Sequence, residues 1–117
     1  MKEIKVIKIE ERKEPKEEVI KNEYEEIKNF VGGYIETLPI DNTHLIVCDE
    51  EGKLKGYSLS VYIVSAKSLK IVDTIVGNCF ITKVRSSDFS SLSKEDLKEL
   101  SKRIQYDEQQ KVTYIFI

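Results

Sequence analysis

The sequence has no tryptophan, one histidine, one methionine, two cysteines and two prolines among its 117 residues. One histidine and two separated cysteines make none of the ligand spacings of a zinc site. They also leave few ways to assemble a nucleophile and its base. No run approaches the roughly 18–20 apolar residues that span a bilayer. The N-terminus, MKEIKVIKIEERKE, alternates charge with aliphatics where a signal peptide would carry an apolar block. A net charge of −2 is too small to draw a nucleic acid to the molecule as a whole, and not acidic enough to imitate one. These shortages exclude a membrane partner, a metal and a cofactor from the expectation, and leave nucleic acid reachable only through a partner complex. The expected location is the cytoplasm, so Cys48 and Cys79, each inside an apolar run, read as reduced core residues.

What is present is a globular composition, 40% apolar and 34% charged, with no linker or repeat; residues 1–117 read as a single domain. Residues 2–9 have the β-branched content of a strand, with Ile4 and Val6 on one face and Ile7 and Ile9 on the other. Pro15 then fits the first turn of a helix over about residues 16–31. In that span Val19, Ile20, Tyr24, Ile27, Phe30 and Val31 recur at helical spacings, and Gly32-Gly33 supplies the stop. Strands follow over 34–40 and 43–49 across an Asp41-Asn42 turn, and a third runs from Lys53 to Leu59 after the turn Asp49-Glu50-Glu51-Gly52. Residues 60–72 fit a strand or a short helix. Residues 75–84 read as one strand kinked at Gly77-Asn78, and serine-rich 86–93 as a loop. A second helix over about 94–104 opens with Ser93 as N-cap, Asp96 at N3, and Leu92 with Leu97 as a hydrophobic staple. VTYIFI ends the chain as a paired strand. The fold class is α+β: a small, mostly antiparallel, barrel-like sheet of five to six strands with two amphipathic helices.

Candidate chemistry is sparse. His44 shares a strand face with Ile46 and Cys48, but residues i and i+4 on a strand lie about 13 Å apart, too far for a direct dyad. A Cys/His hydrolase then needs Cys79 brought to His44 by the fold. The glycines of VGGY close a helix and open a strand, the reverse of a phosphate loop. Asp49, Glu50 and Glu51 in one turn fall short of a calcium loop's ligand set. Lys53, Lys55 and Tyr57 alternate, as do Lys83 and Arg85, a pattern that either tracks a nucleic-acid backbone or guards a strand edge. Glu10–Glu26 holds eight glutamates against four cations, a local net of −4, and presents either a solvated helix face or an acidic surface for a basic partner.

V-G-G-Y-I-E at 31–36, the aliphatic strand ending in D-E-E-G-K-L at 49–54, Gly56, and I-V-G-N-C-F-I at 75–81 together resemble a small domain of unknown function, number 3846. The likeness covers roughly residues 2–82, with Asp88–Ile104 as its continuation. It departs from the family at Gly56-Tyr57-Ser58-Leu59-Ser60, where members tend to read Gly-Leu-Pro-Leu-Asn. The resemblance carries no activity and no catalytic residue. It implies a context, the phage, plasmid and other mobile-element genomes of bacteria. The expectation is a non-catalytic accessory module that modulates or inhibits a host or defence-system protein by contact, with inhibition of a CRISPR effector as its concrete form. Its candidate contact residues are Glu17, Glu18, Glu25 and Glu26 on the acidic helix, with Asp49, Glu50, Glu51, Lys53, Lys55 and Tyr57 around the turn. A small-molecule or nucleotide-binding regulator, with its pocket between sheet and helices, is the alternative.

Overall fold

The computed structural model describes residues 2–117, and its first strand shows why the molecule is layered. In β1 (Glu3–Ile9) the even positions Ile4 and Val6 and the odd positions Ile7 and Ile9 are all buried, so both faces of this strand need a cover. The same holds for β4 (His44–Asp49) and β7 (Cys79–Arg85), which join it in one sheet. Strands buried on both faces read as near-continuous apolar runs. That sheet has six strands in the order β2 (Lys16–Lys21), β1, β7, β4, β3 (Ile35–Pro39), with β8 (Asp88–Ser90) paired to the far end of β7. Helix α1 (Tyr24–Val31) covers one face through Ile27 and Val31, packed on Ile4, Val6, Val47 and Phe80.

A second, four-stranded sheet covers the other face. Its order is β6 (Ile71–Val76), β5 (Leu59–Val64), β10 (Val112–Phe116), β9 (Ile104–Asp107). Val61, Ile63, Ile75 and Ile115 from this sheet meet Ile7, Ile9, Ile46, Cys48, Cys79 and Ile81, and α2 (Lys94–Ser101) closes the layer with Leu100. All strand pairs among the described residues are antiparallel except β5 with β10. The outward side of the smaller sheet carries the stacked rings of Tyr62 and Tyr114, 5.2 Å between centroids.

The α+β class stands, and several finer expectations do not. The described residues form ten strands in two open sheets, so the sheet of five to six strands is exceeded and no barrel closes. Residues 16–21 are strand β2, hairpinned onto β1 with Ile4 opposite Ile20 and Val6 opposite Glu18; the helix expected over 16–31 is only Tyr24–Val31. The apolar stripe misled because Val19 faces solvent at 52% exposure while only Ile20 packs inward. The second helix ends at Ser101, and Ile104 begins β9. The strand expected from Lys53 is instead a 3-10 turn, Gly52–Leu54, held by Leu54 N–H to Glu51 O and Lys55 N–H to Gly52 O, and the strand starts at Leu59. Residues 75–84 are two strands in different sheets, with Gly77 at φ +77° carrying the chain across. The loop over 86–93 contains β8.

Other expectations hold. Gly32 is the left-handed helix stop at φ +101°, its N–H bonded to Lys28 O. Ser93 and Asp96 make a reciprocal capping box, with Leu92 buried beside it. The final strand is central, between β5 and β9. Phe80 is fully buried and lies edge-on to Phe89, with its ring centroid 6.3 Å from those of both Phe30 and Phe89. Phe80→Ala is therefore expected to lower unfolding stability by about 3–5 kcal/mol, measured by chemical denaturation.

Candidate functional site

The three segments that carried the family resemblance are far apart in sequence and meet at one place. Asp49 ends β4 with its side chain 1% exposed, and its Oδ2 accepts a hydrogen bond from Lys55 Nζ at 2.8 Å. Lys55 Nζ also donates to the carbonyl of Gly32 at 3.1 Å, and Asp49 Oδ1 accepts the N–H of Glu51. The bond to Asp49 holds the Lys55 ammonium above the ordinary lysine range. A buried carboxylate needs such partners, since desolvation of an unpaired charge is costly.

Tyr57 lies over the glycines. A Cβ on Gly77 would stand 2.6 Å from Tyr57 Cδ2, and one on Gly32 would stand 2.5 Å from Tyr57 Oη. Both glycines have positive φ, so their missing side chains serve the backbone and the ring at once. Asn78 completes the junction: its amide donates to Phe30 O, and its oxygen accepts the N–H of Glu11. The VGGY, DEEGKL and IVGN segments thus form one tied corner where α1, β4 and the crossing between the sheets come together.

Beside this corner a groove runs between β3 and β6, the facing edges of the two sheets. Its upper hollow, about 120 Å³, is lined on its polar side by Glu36, Asp49, Glu50, Glu51, Lys53 and Asp73. Its lower hollow, about 200 Å³, is lined by Leu38, Pro39, Ile46, Ile63, Val72 and Ile117, and Leu38 and Asp73 belong to both. Lys53 pairs with Asp73 at 3.3 Å. Glu36, Glu50 and Glu51 are exposed and make no ion pair among the described residues.

The contact residues expected from sequence therefore split. Asp49, Glu50, Glu51, Lys53, Lys55 and Tyr57 share the corner and the groove. Glu25 and Glu26 sit in the first turn of α1, at the end away from Gly32. Glu17 and Glu18 lie on β2, not on a helix. Glu18 is engaged by Lys8 at 2.7 Å and by Lys16 at 3.3 Å, and the Lys8 bond lowers its pKa. No single acidic helix surface unites these four. The unforeseen members of the groove are Glu36 and Asp73, which only the placement of β3 against β6 brings together.

His44 has a different role from the one weighed for it. Its Nδ1 lies 2.9 Å from Asp41 Oδ2 and its Nε2 lies 2.8 Å from Asp96 Oδ1. With a carboxylate within hydrogen-bond distance of each ring nitrogen, neither nitrogen is open to a further partner. Lys83 reaches Asp96 at 2.6 Å and Arg103 reaches Asp41 at 2.7 Å, so the network ties the β3–β4 turn, β7 and the α2 N-terminus to the segment before β9. Burial pushes the Asp41 carboxyl upward, but bonds from His44, Thr43 and Arg103 outweigh it and hold it well below the usual range. Asp96 is likewise raised by burial and lowered further by Lys83, Ser93 and His44. Burial pushes the Cys48 thiol up to about 12, aided by Glu36, and it pushes Cys79 up as well. Both are poor thiolates, and the histidine is committed elsewhere.

Among the described residues no group of three or more His, Cys, Asp or Glu is placed to hold a metal ion. No helix is long and apolar enough to cross a membrane. A family model described as a domain of unknown function (DUF3846) matches residues 4–105, which takes in the corner, all of the groove's lining but Ile117, and α2. No curated protein and no solved structure matches the chain.

Two outcomes follow from this geometry. Asp41 and Asp96 have folded pKa values below the ordinary 3.8, so their stabilisation is complete above that pH and is lost as pH falls toward the folded values. Melting temperature should therefore drop as pH is lowered below about 4, and Asp96→Asn should melt lower at neutral pH with a shallower acid slope. Gly77→Ala should cost about 1–3 kcal/mol, from backbone strain and the Tyr57 ring. A denaturant cycle with Tyr57→Ala should recover the ring's part and leave the strain.

Proposed function

The chain belongs to the DUF3846 family, and from that membership and the corner's geometry we propose that it is a non-catalytic binding module. In this reading it is a mobile-element accessory protein that acts by direct contact with a host protein, with inhibition of a defence nuclease as the most concrete form. The observation that carries it is the construction of the Asp49–Lys55 corner. A buried carboxylate paired with the exposed Lys55, two positive-φ glycines and a tyrosine ring hold the exposed Glu50 and Glu51 beside the groove. Rigid presentation of charge lowers the ordering cost of association.

Two further observations favour contact over chemistry. The thiols are buried and raised in pKa, and both nitrogens of His44 are engaged by carboxylates. The mobile-element context rests on association through the family and not on site chemistry.

Affinity capture from lysates of host bacteria tests the proposal, with the wild-type chain and a Glu50→Lys/Glu51→Lys variant as baits. A protein retained by the wild type and lost with the variant, at unchanged melting temperature, is the expected outcome. The same set of proteins on both baits, or none above background, would reject it.

A further inference from the structure

We propose that the groove receives an extended segment of the partner, added as a strand to the free edge of β6, with a basic side chain in the upper hollow and an aliphatic one in the lower. This rests on the binding-module reading above and adds to it the chemistry and geometry of what is bound.

Five strands are edges: β2, β3 and the 3-residue β8 in the larger sheet, β6 and β9 in the smaller. Exposed edges invite pairing with another chain and are blunted by charge, proline or shortness. β2 reads KEEVIK and β9 has only 4 residues. β3 ends in Pro39, which cannot donate to a ladder. β6 reads IVDTIV, with no proline and one charge, and a register shift against β5 between Asp73 and Ile71 is its one irregularity at this end. Leu69, Ile71 and Val72 around its start are 71%, 53% and 57% exposed. The N–H of Thr74 is bonded to the Asp73 carboxylate, so an added strand takes its main-chain bonds from the other donors and acceptors of this edge.

Strand addition takes affinity from main-chain bonds and specificity from pockets for alternate side chains. Both hollows open along β6, and they share Leu38 and Asp73. Side chains on one face of a strand recur about 7 Å apart, two residues on. An added strand therefore drops neighbouring same-face side chains into the two hollows. Glu36, Glu50, Glu51 and Asp73 at the upper one, against Lys53, call for Lys or Arg. Leu38, Pro39, Ile63, Val72 and Ile117 at the lower one call for an aliphatic residue. The segment thus carries a basic and an aliphatic residue two positions apart. The same charges argue against a second copy of this chain, since β6 paired with β6 would bring two acidic grooves together.

The test uses the full chain and a peptide of about ten residues with valine and lysine alternating on one strand face. The expected result is saturable binding, weakened by salt, with amide shifts and slowed exchange over Ile71–Val76. Val72→Lys, at an exposed position, and a peptide with glutamate replacing lysine should each weaken binding by at least about tenfold. Three results would overturn the inference. One is no saturation at millimolar peptide; another is shifts centred away from β6. The third is a dimer in sedimentation that Val72→Lys dissolves, since the edge would then serve self-pairing. Capturing the lysate partner with Val72→Lys separates the two readings. A partner lost with Glu50→Lys/Glu51→Lys but kept with Val72→Lys leaves the binding module intact and removes strand addition.

Discussion

The six-stranded sheet must be covered on both faces, and the rest of the structure answers to that constraint. Ile4, Val6, Val47 and Phe80 point one way, and Ile7, Ile9, Ile46, Cys79 and Ile81 point the other. A helix of 8 residues suffices for the first side. The second needs a whole sheet, assembled from β5 and β6 in mid-chain and β9 and β10 at its end. The chain must therefore leave the central sheet, build two strands elsewhere, return for β7, and leave again. Gly77 stands at the return and the Ser93 cap at the second departure.

β4 shows how the layers are tied together. Its first residue is His44 and its last is Asp49, so each end of one buried strand carries a polar cluster. At one end His44, Asp41, Asp96, Lys83 and Arg103 bind the turn before β4 to α2 and the last hairpin. At the other, Asp49 and Lys55 bind the strand's exit to the end of α1. Apolar packing between layers is non-directional, whereas ion pairs with fixed hydrogen bonds set how the layers are registered. A part-buried pair is weak evidence for net stability, and its use here is positional.

Much of this was legible in the sequence where the signal was local. The Gly32 stop, the Ser93–Asp96 box and the two apolar faces of β1 depend on residues within one turn or one strand, and all were read. β2 was misread because Val19, Ile20, Tyr24 and Ile27 match a helical stripe, and only pairing with β1 reveals that the first two belong to a strand. The turn at Gly52–Leu54 hid behind a favourable alternation of Lys53, Lys55 and Tyr57. The corner was visible as motifs without their meeting point. The histidine network was invisible, since its bonds span 52 positions to Asp96 and Arg103 reaches Asp41 across 62. Glu36 and Asp73 become neighbours only through the stacking of two sheets, which no periodicity encodes.

The treatment of the edges joins stability to recognition. Four edges are blunted by charge, proline or length, and the fifth keeps its apolar β-branched sequence with one register shift. Left alone, such an edge is a template for pairing with any extended chain, including another copy. The carboxylates along the groove change that balance. In the proposed pairing they would oppose a like-charged strand and favour a basic one, so a single distribution of charge would limit self-association and set the preference for a partner. Asp73 has a part in both, accepting the Thr74 amide and holding Lys53 at the groove's rim. A basic side chain entering there competes with Lys53 for a carboxylate already in place. Recognition would then exchange one ion pair for another, without stripping water from an unpaired buried charge.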